Sequence, residues 1–372
     1  GGRRMTRKEE LRIKLDRVRT LMSRLEFDGV FLKRQDDFSW LSCGGQNYIG
    51  WGDMGLCGLL VTQDETYAVT NVIEEPRMRE EEQLEELGFK IHAGAWQDTG
   101  FEARTLKNLV PSGRIAFDYT HDLGPNIEGE IKKLRLSLTK SEIERMRKVG
   151  IMATLALEEA AVSVRPGDTE IEAIKRIANA LYDQDMMSTS LMCAADDRLM
   201  KYRHAIATPT KIKERFQIGG NMRKWGLTVC LTRYVNFVPV TDELRKQYRL
   251  NQLIDTTMMV NTVVGRAYHE PLKAAQKLYD EHGYGDEFLK HHLGGPIGYA
   301  NRDYRVDFNL PGTIQENQGF CWNPSITGTK SEDTILVRKD GFEFITRPIV
   351  FPKNEVVVDG KTFIRSDILE KF

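Results

Sequence analysis

The stretch that decides the fold is Lys140-Ser141-Glu142-Ile143-Glu144, followed by Arg165-Pro166-Gly167-Asp168-Thr169-Glu170. A serine with a glutamate three residues later is the pattern that begins an α-helix, and the apolar spacing after it predicts a long helix reaching about Val162. The Pro-Gly pair then predicts a turn, after which the aspartate or the threonine can cap a second helix. These helices predict the start of a second domain, residues 140–372.

Beyond these helices the pattern changes to short strands. The apolar runs 227–232, 319–323 and 334–337 are typical of strands, and a helix pair from about Asp242 to His282 separates the first run from the other two. Long helices that cover an antiparallel sheet predict an α+β class for this domain.

Residues 5–134 have a different pattern, in which helices and strands alternate. An amphipathic helix is predicted over 8–25 and a solvated acidic helix over 74–86. Strands are predicted over 29–32, 58–62, 67–70 and 114–118. Alternation of this kind predicts an α/β N-terminal domain.

Composition places the 372-residue chain among globular proteins. Hydrophobic residues make up 41% and charged residues 29%, which supports a packed core and argues against disorder. The 53 basic and 54 acidic residues leave a net charge of -1, so we expect no nucleic-acid and no membrane partner. The five cysteines form no paired motif, and no stretch reaches the roughly 20 apolar residues of a membrane span. We therefore expect a reducing, cytoplasmic location.

Five motifs follow one another along the second domain. They are the 140–144 stretch with Arg147, the 165–170 stretch, Leu231-Thr232-Arg233, His291-His292-Leu293-Gly294-Gly295, and Ser331-Glu332-Asp333-Thr334 followed by Gly341, Ile345 and Thr346. In order and spacing they resemble the creatinase, prolidase and aminopeptidase P family. The resemblance covers nearly the whole chain, and it implies a "pita-bread" catalytic domain behind a creatinase/prolidase-like N-terminal domain.

The metallopeptidases of that family hold two divalent metals with two Asp, one His and two Glu, and this sequence departs from that set. Cys230 replaces the Asp before the Thr-Arg pair, and the other Asp falls near Gly219 or Gly220, where no acid is available. Asn323 stands where the family has a Glu, so that one histidine and Glu332 survive. Two hard cations need several anionic oxygens, and the sequence therefore predicts no dimetal centre.

A single zinc ion is the alternative, because Cys, His and carboxylate ligands suit zinc. Cys230, His291 and Glu332 would supply them. Such an ion would also need groups that orient its ligands, and we expect no metal cofactor. Cys230 is then predicted to be a small apolar filler rather than a nucleophile.

Creatinase itself has this fold without metal, and the resemblance to it supplies substrate-site residues. Its His-x-x-Gly, Tyr and Gly-Arg-Glu signature matches His291, Tyr299 and Arg302, whereas His292 satisfies the His-x-x-Gly spacing equally. The choice between the two histidines stays open. Arg302 would lie where creatinase has an arginine that receives the substrate carboxylate, a role suited to a bidentate donor.

His204 is the leading acid/base candidate, because in this resemblance it falls where the family keeps a histidine that faces the substrate. A neutral imidazole can take a proton from water and return it to a leaving nitrogen. Glu332 or the second histidine of the pair would orient His204 or a substrate cation. Asn323 would hydrogen-bond the substrate, and Arg233 is either a structural residue or a substrate anchor.

Residues 34–42 resemble the segment that, in these families, reaches a neighbouring active site across a dimer. The resemblance therefore implies a homodimer, and Phe38 and Trp40 merely permit one. The alternative for this segment is an ordinary strand-to-helix loop.

Three functions follow from these residues. The first is a metal-independent, creatinase-like hydrolase that cleaves a C-N bond in a small carboxylate-bearing substrate, with histidines as proton shuttle. The second is a metal-dependent Xaa-Pro peptidase acting on short peptides. The third is a non-catalytic pseudoenzyme that binds a peptide or ligand, against which the retained histidines and Glu332 argue.

Overall fold

The computed structural model describes residues 3–372, which divide into two compact units with the boundary between Glu142 and Ile143. The sequence pattern predicts this boundary between residues 134 and 140. Each unit has its own sheet and its own core, and each is described separately below.

The first unit contains a five-stranded mixed sheet. Its elements are α1 (Arg7–Leu25), β1 (Gly29–Arg34), α2 (Gln35–Leu41), β2 (Met54–Thr62), β3 (Thr66–Asn71), α3 (Glu75–Glu80), β4 (Lys90–Gly94), α4 (Phe101–Leu109), β5 (Ile115–Phe117) and α5 (Glu128–Leu134). The strand order is β4-β3-β2-β1-β5, in which β1 and β5 are parallel, as are β3 and β4. Every predicted strand of this unit is present.

Two expectations for this unit need correction. The acidic helix ends at Glu80 rather than Glu86, because Gln83 adopts a left-handed backbone and Leu84 turns into the core. Within residues 34–42, Phe38 and Trp40 lie on α2 with no exposed surface. These two aromatic side chains pack inside their own unit and are not available for a dimer contact.

The second unit begins on the long helix and contains two four-stranded sheets and two short hairpins. Its elements are α6 (Lys140–Ser163), α7 (Glu170–Asp183), β6 (Met187–Ala195), α8 (Arg198–Lys201), β7 (Arg215–Lys224), β8 (Leu227–Asn236), α9 (Asp242–Val260), α10 (Glu270–Glu281), α11 (Gly285–Phe288), β9 (Gly294–Pro296), β10 (Gly319–Trp322), β11 (Ser325–Ile326), β12 (Thr329–Lys330), β13 (Asp333–Arg338), β14 (Gly341–Phe344), β15 (Lys353–Val358), β16 (Lys361–Ser366) and β17 (Leu369–Glu370). The sheet orders are β17-β8-β7-β6 and β14-β13-β10-β9.

The residue that caps the long helix is Thr139 and not the predicted Ser141. Thr139 and Glu142 form the reciprocal cap, in which the Glu142 N-H donates to Thr139 Oγ1 at 3.3 Å and the Thr139 N-H donates to Glu142 Oε1 at 2.8 Å. The predicted serine therefore lies inside the first turn. At α7 the cap is Thr169, one of the two predicted residues, and it forms the same reciprocal pair with Glu172.

Strand β7 was not predicted, because its apolar pattern is interrupted by Gly219 and Gly220. The structure explains both glycines by close packing of the backbone. A Cβ atom at Gly219 would lie 2.7 Å from the Leu231 carbonyl oxygen, and one at Gly220 would lie 2.1 Å from the Ser190 carbonyl oxygen. A larger side chain at either position would require the strands to move apart.

The core of the second unit packs α9 and α10 against β10 and β13. Ile254, Met258, Tyr279, Trp322 and Ile335 are each fully buried there. The Trp322 indole N-H donates to Thr262 Oγ1 at 2.9 Å, so the one polar atom of this side chain is satisfied. Among residues 3–372, no helix combines the length and apolar character needed to cross a bilayer.

Candidate active site

The candidate site lies within the second unit, where the ends of several strands and two loops converge. Asn323 follows β10, Glu332 precedes β13, and Cys230 lies in the middle of β8, all of them buried. His204 lies on the loop after α8, and the His291-His292 pair lies just before β9. The predicted histidine, asparagine and glutamate residues are therefore brought into one region.

The three histidines form a contact cluster at the surface of this region. His204 Nε2 lies 2.8 Å from His291 Nε2, and the two rings meet edge to face. The rings of His291 and His292 stack with their centroids 4.3 Å apart. His204 is exposed and the other two rings are partly buried, so solvent reaches the cluster from the side of His204.

The hydrogen bonds of this cluster assign a proton to each ring. His291 Nδ1 lies 2.5 Å from the His292 carbonyl oxygen, which can only accept, so His291 carries its proton on Nδ1. Its Nε2 therefore accepts, and the proton between the two rings belongs to His204 Nε2. The lone pair of His204 Nδ1 is left to act as a base. His292 Nδ1 accepts from the Gly294 N-H at 3.2 Å, which leaves the His292 proton on Nε2.

The surroundings keep all three rings neutral near pH 7. Burial and the charges of Lys330 and Arg305 lower the pKa of His204 below its ordinary value. Burial and the neighbouring His204 lower the pKa of His291 to about 4. Burial and His291 lower the pKa of His292 to about 3. Neutral imidazoles are the form that general-base catalysis requires.

Beneath the histidines lies a buried ion pair. Arg302 Nη2 donates to Glu332 Oε2 and to Asn323 Oδ1, each at 3.2 Å, and the Arg302 side chain is only 11% exposed. Lys330 Nζ lies 3.6 Å from Glu332 Oε1, and Thr232 Oγ1 donates to the same oxygen at 2.7 Å. Although burial opposes ionisation, Lys330 and Arg302 lower the pKa of Glu332 to about 2. Glu332 is a carboxylate at any working pH.

Cys230, Cys321 and Glu332 form one group of potential metal ligands, whose donor atoms lie within 4.8 Å of one another. Their chemistry does not fit the two divalent ions of a metallopeptidase. The carboxylate is already paired with two cations, and burial raises the pKa of the Cys321 thiol. The steric limit at Gly219 excludes a further acid beside this group without strand movement. The predicted absence of a dimetal centre rests on these donors.

The zinc alternative at Cys230, His291 and Glu332 draws on two separate groups, because His291 clusters with the other histidines. Within the histidine group, one proton already lies between His204 and His291. His292 carries its proton on Nε2, since its Nδ1 is an acceptor. A metal ion bound by Nε2 of His204 and of His292 would therefore require the proton of each ring to move to Nδ1.

The first unit contains a comparable acidic group, formed by Asp36, Asp37 and Glu128. Arg135 Nη1 lies among them, 2.5 Å from Asp37 Oδ1 and 3.4 Å from an oxygen of each of the other two. A guanidinium therefore already lies among these carboxyl groups as well.

A cleft of about 450 Å³ opens beside the histidines and offers a substrate pocket. His291, His292, Phe288, Phe308 and Arg305 are among its lining residues. Arg305 is exposed and forms no hydrogen bond or ion pair with any residue in the described part of the chain. No sequence pattern indicates Arg305, because its position three residues after Arg302 carries no signal of its own.

The structure gives the predicted substrate residues different surroundings. Arg302 is engaged by Glu332 and Asn323 and does not line the cleft. Arg233 is buried, with Nε 2.8 Å from Glu158 and Nη2 3.1 Å from Asp333, which favours the structural alternative for this residue. Tyr299 is buried, with 1% of its surface exposed.

Comparison with known proteins identifies the two parts of the chain. The family described as "Metallopeptidase family M24" matches residues 144–339, and the one described as "Creatinase/Prolidase N-terminal domain" matches residues 14–149. A solved Xaa-Pro dipeptidase from Bacillus anthracis covers 91% of this chain and 98% of its own, with a TM-score of 0.74 and 20% identity. These matches confirm the predicted resemblance and the α/β-then-pita-bread fold.

Relatives among curated proteins match a smaller part of the chain. An uncharacterised peptidase from Staphylococcus haemolyticus is 26% identical over 59% of this chain and 65% of its own length. A Xaa-Pro dipeptidase from Lactobacillus delbrueckii subsp. lactis is 24% identical over 60% of this chain and 64% of its own length. The chain thus spans slightly less than two thirds of the length of these relatives.

Proposed function

The chain belongs to metallopeptidase family M24, and we propose that it hydrolyses a C-N bond in a small carboxylate-bearing substrate, with histidines in place of the family's metal centre. The observation that carries the proposal is the His204-His291 contact at 2.8 Å, which leaves His204 Nδ1 as an accessible base. A pure binding protein would need no such proton relay.

In the proposed reaction His204 Nδ1 removes a proton from water as its oxygen attacks the carbon of the C-N bond. The positive charge that develops on His204 is stabilised by its Nε2-H, which donates to His291 Nε2. The C-N bond then breaks, and the proton passes from His204 to the leaving nitrogen. Proton transfer of this kind contributes about 10²- to 10⁴-fold to a rate.

Arg305 is the proposed anchor for the substrate carboxylate. It lines the cleft beside His291 and His292, and its guanidinium has no partner among residues 3–372. A bidentate pair with a carboxylate suits this side chain. Arg302 has the same chemistry, but Glu332 and Asn323 already occupy its donors.

We further propose that the protein forms a homodimer and works in a reducing compartment. At one end of the first unit's sheet, Ile49, Leu56 and Ile73 expose 80%, 43% and 62% of their surfaces, and burial of these apolar side chains would favour a protein contact there. All five cysteines are free thiols, as expected in a reducing compartment.

The second candidate is a metal-dependent Xaa-Pro peptidase, and ancestry favours it. The family name and the dipeptidase from L. delbrueckii both point to this reaction. Because Arg302 pairs with Glu332, a metal would have to use His204, His291 and His292, where it would act as a Lewis acid on the scissile carbonyl.

One experiment separates the two candidates. The protein, freed of metal by chelator and checked by elemental analysis, is incubated with a panel of Xaa-Pro dipeptides and of carbamoyl and amidino derivatives of amino acids. Release of the free amine is measured before and after manganese, cobalt or zinc is added. His204→Asn is the test variant, and His282→Asn, an exposed histidine at the end of α10, is its matched control.

Hydrolysis by the metal-free protein that is lost in His204→Asn supports the first candidate. Hydrolysis that appears only with added metal overturns it in favour of the second. Binding of a panel member without turnover under either condition would make the protein a pseudoenzyme and would overturn both.

A further inference from the structure

The Arg302 guanidinium lies in the middle of the group that would otherwise attract a metal ion. It contacts Glu332 Oε2 at 3.2 Å, and the sulfur atoms of Cys230 and Cys321 lie within 4.8 Å of the Glu332 carboxylate. Its remaining Nη1 donates to the Asn301 carbonyl oxygen at 2.7 Å, so the side chain is held from two sides. One positive charge therefore already lies among the three potential ligands.

A chain of contacts leads from this guanidinium to the histidines. Arg302 can only donate, so the atom of Asn323 that faces it is the acceptor Oδ1. The amide nitrogen of Asn323 must then point the other way, where it donates to the His292 carbonyl oxygen at 3.0 Å. It also lies 3.3 Å from His291 Nδ1, which cannot accept from it while that nitrogen carries its own proton. That same carbonyl accepts the proton of His291 Nδ1.

We infer that Arg302 is a positioning residue that takes the place of a metal cation beside Glu332 and, through the Asn323 amide, fixes His291 with its proton on Nδ1. The histidine relay depends on this arrangement, because His291 Nε2 accepts from His204 only while Nδ1 holds the proton. The catalytic meaning of the inference rests on the proposed function, but the arrangement itself does not.

Removal of the guanidinium has two separate consequences. Asn323 loses the contact that orients its amide, so the His292 carbonyl loses the donor that holds it beside His291 Nδ1. Once that carbonyl can move away, His291 can place its proton on either nitrogen. Glu332 and the two thiols lose their internal cation and become an attractive site for a soft divalent ion. Both consequences are measurable without any substrate.

The test uses the full chain with ¹⁵N-labelled histidine and three variants. Arg302→Met keeps an unbranched apolar stem and removes the charge, Arg302→Lys keeps the charge, and Arg302→Met combined with Cys321→Ser removes a thiol as well. Long-range ¹H-¹⁵N spectra report which nitrogen of each ring is protonated, and His291→Asn assigns the signals of that ring. His282, exposed at the end of α10, serves as the internal reference.

We expect His291 in the parent protein to show one tautomer, protonated on Nδ1, and Arg302→Met to show a mixture of both. Arg302→Lys should retain most of the parent pattern. After equilibration with about 10 µM zinc, the parent should hold no zinc that depends on Cys321. Arg302→Met should gain about one equivalent, and the double variant should lose it again.

Two results would overturn the inference. One is a parent protein that already binds a zinc ion sensitive to Cys321→Ser. The other is an Arg302→Met variant that folds, keeps the parent His291 spectrum and gains no zinc. If Arg302→Met fails to fold, the spectrum of Arg302→Lys decides, since a mixed tautomer there would contradict a role for the positive charge. Failure to detect any hydrolysis would count against the proposed function and would leave these readouts unaffected.

Discussion

Glu332→Gln is expected to lower the free energy of unfolding of the second unit by about 3 kcal/mol at pH 7. The pKa of the Glu332 carboxyl falls from its ordinary 4.5 to about 2 because of Lys330, Arg302 and Thr232. Each tenfold change in acidity corresponds to about 1.4 kcal/mol, so the ionised side chain contributes roughly 3 kcal/mol to stability. Glutamine keeps the size of the side chain and an acceptor for Thr232, and removes only the charge.

The sign of the pH dependence follows from the lowered pKa. The contribution is fully present above pH 4.5 and is lost as the pH falls towards 2, because the unfolded chain then binds the proton more tightly than the folded one. Urea unfolding at pH 7 therefore measures the whole effect. With a urea dependence of about 3 kcal/mol per molar, the midpoint should fall by about 1 M.

The matched control is Glu343→Gln, because Glu343 forms a comparable ion pair with Arg147, whose side chain is 46% exposed. An exposed pair contributes under about 1 kcal/mol, so its midpoint should shift by less than about 0.3 M. Combining Glu332→Gln with Arg302→Met should cost at least about 1 kcal/mol less than the sum of the two single changes. Equal shifts for the two glutamates, or strictly additive effects, would refute the buried ion pair as the source of stability.

Three further outcomes are expected. Against the best substrate of the panel, kcat/KM should stay level from pH 8 to about 6.5 and fall at lower pH. The reason is that the pKa of His204 lies below its ordinary value and only the neutral ring accepts a proton. A fall in kcat/KM that begins above pH 7 would contradict this role of His204. Arg305→Met should raise KM by roughly 10- to 100-fold, with a smaller effect on kcat, because a charged hydrogen bond to the substrate is lost. Arg305→Lys should recover part of the lost affinity. An unchanged KM would show that Arg305 does not bind the substrate. Gly219→Ala should lower the free energy of unfolding by about 1–3 kcal/mol, because its Cβ would lie 2.7 Å from the Leu231 carbonyl oxygen, and thermal unfolding that is unchanged would exclude the steric argument.

The fold was predictable because its signals are local. Caps such as Thr169, the Pro-Gly turn and the short apolar runs each depend on neighbours in sequence. Strand β7 was missed because Gly219 and Gly220 are explained only by the close approach of strands distant in the chain. No local pattern reports such an approach.

The sequence could indicate which candidate residues lie in one region, but not how their side chains pair. His204, His291, Asn323 and Glu332 are brought together as the resemblance implies. The sequence could not indicate that Arg302 turns inward to Glu332, because the local sequence is the same whether an arginine side chain points inward or outward.

Asp333 illustrates the same limit. Its place in the Ser331-Glu332-Asp333-Thr334 motif does not indicate its partners, yet its carboxylate joins Arg233 and Arg365 in the core. Arg233 lies 100 residues away from Asp333 along the chain, so the pair becomes visible only when the strands are assembled.

If Arg302 takes the place of a metal cation beside Glu332, as inferred above, the maturation of the protein in a cell would change as well. A metal ion has to be acquired after synthesis, in competition with other ions and other proteins. An arginine is delivered by translation, one per chain, and reaches its position as the strands close around it. The site should therefore have the same composition in every molecule, whatever the metal supply during growth, and no step of ion delivery should limit the yield of folded protein.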